Sequence, residues 1–122
     1  MNGALEAGLL VATIFCALAN AAEVVAKTAR ARFVVQNSAE VGVAPRWIPY
    51  LAVLEGAGVV GVVVGLFGFR ALGLAAALGL VLFFVGAVAA HMRARVFHNI
   101  AFPVGFLILA LAATVFFGGT VG

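Results

Sequence analysis

Charge is what this chain has least of. Of its 122 residues, seven are Lys or Arg and four are Asp or Glu, so 9% are charged and 66% are hydrophobic. A water-soluble domain of this length needs far more polar surface than that. The mean hydropathy of +1.29 excludes a soluble globular fold on the same ground. The few cations form no basic patch, which excludes a nucleic-acid partner. A lone cysteine, Cys16, excludes an intrachain disulfide. No CxxC or HExxH motif is present, so the two His give no metal site. No base accompanies Cys16 and no Ser motif appears, so no catalytic set is assigned. Strict period-two alternation is also missing, which argues against a membrane β-barrel.

What is there is apolar length. A bilayer core about 30 Å thick takes about 20 helical residues to cross. Four runs fit, at about 4–26, 48–67, 71–90 and 100–117. A backbone in lipid must satisfy its own hydrogen bonds, so these runs are helices. The start, MNGALEAGLL, lacks the positive region of a signal peptide, and the first run is therefore expected to be a retained span. The expected fold is an all-α, antiparallel four-helix membrane bundle, a single transmembrane domain over 1–122. GFR joins spans two and three as a tight hairpin, and the one longer loop, 27–47, joins spans one and two. That loop has room for a short helix or interfacial piece, with Trp47 and Tyr50 at the membrane boundary and Pro45 and Pro49 turning into span two. Most of the fifteen Gly fall inside the apolar runs, where membrane helices use them for close packing.

Lys27, Arg30, Arg32, Arg46, Arg93 and Arg95 fall in or beside the first and third loops, against Arg70 alone on the other side. By the positive-inside rule, loops 27–47 and 91–99 are expected in the cytoplasm and both termini outside, in the cell (inner) membrane.

The first span carries a polar stripe. Thr13, Cys16, Asn20, Glu23, Lys27 and Arg30 follow at steps of 3, 4, 3, 4 and 3, which holds them on one helix face. Such a stripe belongs in the bundle interior, away from lipid. Glu23 and Lys27 are also an i, i+4 pair in the favourable order. In the second span Glu55 heads a stripe of Gly58, Gly61, Gly65 and Gly68, which lets a neighbouring helix approach and points Glu55 at that neighbour. The third span ends in AHMRAR, so His91, Arg95 and His98 share a face if the helix runs on. Pro103 either kinks the fourth span or occupies its first turn. Alternating topology puts Asn20, Glu23, Lys27, Glu55, His91, Arg93, His98 and Asn99 in one membrane half, leaving the other half almost wholly apolar.

A charge-paired pocket in that half suits a lipophilic ligand with a polar head. Asn20, Glu23, Lys27, Glu55, His91 and Arg93 are its expected lining, and Gly58, Gly61 and Gly65 the packing face. No cofactor is named by the residues; a quinone is one ligand of the right shape. Two alternatives remain open. One is a membrane-embedded isomerase or oxidoreductase using Glu55 and His91 as acid and base. The other is a purely structural subunit whose ion pairs set helix register and whose Gly face packs on a larger membrane complex. Expected partners are membrane lipids and either further copies of the chain or a larger complex.

Lys27 closing the first span, LEGAGVVGVVVGL from Leu54 to Leu66, AVAAHMRAR with His91 and Arg93, and Pro103 opening the last span together resemble the DoxX-like family of small four-helix membrane proteins. The resemblance covers nearly the whole chain. It departs in span one, where the family often has Gly three residues before the Lys and this chain has Val24. The resemblance implies the four-helix architecture, with Lys27, Glu55, His91 and Arg93 as functional positions. It also implies a redox connection, since the family takes its name from association with a thiosulfate:quinone oxidoreductase, and relatives are linked to oxidative-stress assemblies. More distant relatives act in membrane-protein assembly or on sterol-like lipids. It supplies no substrate.

Overall fold

The structure, a computed structural model, describes residues 2–120. Four long helices, α1 (Gly3–Thr28), α3 (Ile48–Leu66), α4 (Arg70–Ala94) and α5 (Ala101–Thr120), form the bundle, and a short α2 (Arg32–Glu40) lies in the first loop. A 3-10 turn, Pro45–Trp47, leads straight into α3 and lengthens that span to Pro45–Leu66. Each of the four is long and apolar enough to cross a membrane. Their outward side chains, among them Phe15, Leu18, Val53, Leu82, Phe102 and Ile108, are exposed and apolar. An exposed apolar belt of this kind is unstable in water and suits lipid.

The helices pack as a ring in chain order, with α1 against α3 and α5, and α4 against α3 and α5. Every neighbour is antiparallel, so α2, the first loop and the α4–α5 connection share one end. The α3–α4 turn and the start of α1 share the other.

The helix ends are set by local chemistry. Asn2 caps α1 by accepting a hydrogen bond from the Leu5 amide at 2.7 Å. At the other end of α1, the Ala31 amide reaches the Ala26 carbonyl and the Arg30 amide reaches that of Lys27. This is a Schellman closure, and it puts Arg30 in the left-handed region at φ 52°. The same closure ends α4 on Arg95, at φ 56°. Arg30 therefore leaves the stripe that the 3–4 spacing gave it and is exposed beyond the helix. His98, for the same reason, lies past the end of α4 and does not extend the face of His91. Pro103 sits in the first turn of α5, where its missing N–H costs nothing.

In the terminal half the backbones meet closely. A Cβ on Gly58 would lie 2.6 Å from Leu80 Cδ2, one on Gly61 would strike the Ala76 side chain, and one on Gly65 would strike the Gly73 backbone. The ring of Phe117 fills the remaining notch, 2.6 Å from where a Gly73 Cβ would stand. The glycine face of α3 is thus taken up by α4 and α5 of the same chain and is closed to an outside complex. Gly68 is not part of it; it turns the chain between α3 and α4 at φ 123°.

Candidate functional site

Lys27 is the centre of the polar half. Its Nζ donates to Glu55 Oε1 at 2.7 Å and to Glu23 Oε2 at 3.4 Å. Side-chain exposure is 14% for Lys27, 32% for Glu23 and 0% for Glu55, so the pair with Glu55 is an interior one. The same ammonium lies 5.9 Å from the centre of the Phe83 ring on α4. Lys27 therefore ties α1 to α3 through charge and to α4 through the ring face. Glu55 reaches α1, while the glycines below it face α4. The expectation that all of this stripe points at one neighbour is corrected accordingly. Residues of α3 at steps of three and four drift round the helix far enough to touch two partners.

Deeper in α1 the polar side chains donate to their own helix. Thr13 Oγ1 donates to the Leu9 carbonyl at 2.7 Å, and Asn20 Nδ2 to the Cys16 carbonyl at 2.8 Å. Asn20 Oδ1 and Glu55 Oε2 are buried without a partner among the described residues.

Above this seam lies a cavity of about 540 Å³. Its apolar walls are Phe83, Phe84 and Phe106 between α4 and α5, together with Phe33 and Val34 from α2 and Val41 just past its end. Phe84 stacks on Phe106 with centroids 5.2 Å apart, and Phe83 meets Phe84 edge-on at 5.0 Å. Its polar groups are Glu23, Lys27, His91, Asn37, Ser38 and Asn99. A largely apolar pocket of this size with a few convergent polar groups is the usual form of a small-molecule site.

Of the side chains expected to line a pocket, Glu23, Lys27 and His91 do so. Glu55 stands behind Lys27 and holds it in place, and Asn20 lies below the cavity. Arg93 is exposed on another face of α4 and is not part of the lining. Glu55 and His91 consequently do not share access to the cavity, as an acid–base pair acting on one substrate would require. Among the described residues no three His, Cys, Asp or Glu side chains gather as metal ligands.

Sequence reasoning missed the contribution of α2. Its lining residues Phe33, Val34, Asn37 and Ser38, with Val41 just past its end, recur at helical spacing, and that periodicity was the available signal. Glu40, at the end of α2, meets His98 Nε2 at 3.0 Å, which ties the helix to the α4–α5 connection. Asn99 was placed in the right half, but its part in the lining depends on where α4 stops.

The fold and the polar half define a small multi-pass membrane protein of four apolar helices. The DoxX-like family model matches residues 11–113, and the chain belongs to that family. No match is found among curated proteins or among solved structures.

Proposed function

We propose that this protein holds a lipophilic ligand, quinone-like or lipid-like, in the cavity beneath α2, and serves as an accessory subunit of a redox or membrane assembly. The observation that carries the reading is the cavity itself: aromatic walls, with Lys27 and His91 at one end. The ion pairs do not account for it, because Lys27 is already satisfied by Glu55 and Glu23. The tie to an assembly rests on family membership. The acid–base alternative has no support from the geometry, since Glu55 is screened by Lys27.

The loop end is assigned to the cytoplasm. Support comes from Arg30, Arg32, Arg46, Arg93 and Arg95 at that end against Arg70 at the other. In a Cys16→Ala background, a membrane-impermeant maleimide added to intact cells should label Gly68→Cys and spare Gln36→Cys. The reverse pattern inverts the assignment.

The pocket is tested by filling it. Gly86 lines the cavity, and a Cβ built there meets nothing within 4 Å. Extraction in native lipid particles followed by native mass spectrometry should show a bound small molecule on the wild type and none on Gly86→Leu. Equal ligand on both, or none on either, counts against the pocket.

A further inference from the structure

The ligand's head group can be narrowed from the hydrogen-bonding inventory of the cavity; this step rests on the pocket reading above. The charged donor of the lining, the Lys27 ammonium, is largely engaged. Lys27 is the sole cation in the lining, and two of its three N–H bonds go to Glu55 and Glu23 while Phe83 faces the ammonium. One cation set against two carboxylates leaves no surplus positive charge, so an anionic head such as a carboxylate or phosphate meets repulsion.

What the cavity leaves open is an acceptor. His91 Nδ1 lies 2.8 Å from the Ala87 carbonyl oxygen, which can only accept. Nδ1 therefore carries a proton, and in the neutral imidazole Nε2 is an acceptor. Asn99 also borders the cavity, but its Oδ1 is buried out of reach of a ligand, which leaves His91 as the acceptor. A buried acceptor left empty costs free energy that a donor recovers. Asn37 and Ser38, on α2, both donate and accept and are partly open to solvent, so they do not change the balance.

We infer that the site takes a neutral, hydroxyl-bearing apolar molecule, whose O–H donates to His91 Nε2 while its body lies among Phe83, Phe84 and Phe106. A molecule with the same body but only acceptor oxygens, such as an ether or a carbonyl, leaves that nitrogen empty and binds less well. For a redox-active ligand this means that the reduced, hydroxyl form is held in preference to the oxidised form.

The experiment compares three probes on the full chain in phosphatidylcholine nanodiscs: 4-decylphenol, 4-decylanisole and dodecanoate. Binding is read by native mass spectrometry at matched mole fraction in the bilayer, which removes differences in partitioning. The phenol should half-saturate the protein at ~5-fold lower mole fraction than the anisole, the worth of one net hydrogen bond. Dodecanoate should bind more weakly than either. His91→Leu, with its fold checked by thermal unfolding in detergent, should bring phenol and anisole within about twofold. Equal binding of phenol and anisole to the wild type, or preference for dodecanoate, overturns the hydroxyl inference and leaves the pocket standing. Binding of none of the three overturns the pocket and the inference together.

Discussion

The two ends of the bundle solve the same packing problem in opposite ways. At the terminal end, Gly61, Gly65 and Gly73 bring α3 and α4 into backbone contact, and Phe117 of α5 fills what is left. Nothing polar is needed there, because dispersion between closely packed helices holds membrane spans together. At the loop end α1 still touches α3 through Val24 and Gly56, but a cavity opens beside α4 and α5. Lys27 joins the helices there, reaching Glu55 on α3 and Phe83 on α4. Small residues appear there too, but Gly86 has open space where a side chain would go. Gly61, Gly65 and Gly73 thus mark a close approach of backbones, whereas Gly86 borders the open cavity.

That contrast can be broken most sharply at the ion pair. Lys27→Met leaves Glu55 buried without its cation and should cost ~3–5 kcal/mol, read as loss of thermal stability in detergent. Lys27→Met with Glu55→Leu should regain most of it, because the penalty lies in the orphaned charge. A double variant as unstable as the single one would mean that the pair is more than a mutual neutraliser.

Gly65→Val tests the tight end. Its side chain would enter the Gly73 backbone and the Phe117 ring, at a cost of ~3 kcal/mol, the upper part of the range for overpacking. Gly86→Leu, the counterpart at the loop end, should shift stability by no more than ~1 kcal/mol, and upward, since it removes a helix glycine into open space. Comparable losses at both positions would show that the cavity end is packed as tightly as the other.

Smaller effects are expected at the edges of the cavity. His98→Gln alters the exposed contact with Glu40 and should change global stability by less than ~1 kcal/mol. It should nevertheless speed amide hydrogen exchange across Arg32–Glu40, because Glu40–His98 is a tie from α2 to the α4–α5 connection. Unchanged exchange would mean that Val34, buried against the bundle, is sufficient to hold α2. Smallest of all, Arg30→Gly should stabilise by ~0.5–1 kcal/mol by relieving a left-handed residue that bears a side chain. A loss of stability instead would mean that the Arg30 side chain contributes more than its backbone conformation costs.

The departure at Val24 also has a structural counterpart. A Cβ on Gly56 would lie 3.7 Å from Val24 Cγ1, so the larger residue on α1 faces a glycine on α3. Seen from either residue alone, that fit is invisible.

The sequence by itself determined the solvent, the number of spans, their antiparallel order and the gathering of polar residues in one half. Each of these follows from composition and hydropathy along a single helix, read against the thickness of a bilayer and the alternation of topology. It determined that Glu23 and Lys27 share a face, since a spacing of four suffices for that. Only the tertiary structure decided that Lys27 chooses Glu55 and that Arg93 faces outward while His91 faces in. It alone closed the glycine face of α3 with α4, and it alone laid α2 across the aromatic walls. These are relations between helices far apart in the chain. They depend on how each helix is rotated about its axis and where it stops, and helical rotation is set by packing against two neighbours at once. A four-residue period in one strand of text carries no information about its partners' rotation, so the chamber could be placed in a membrane half but not drawn.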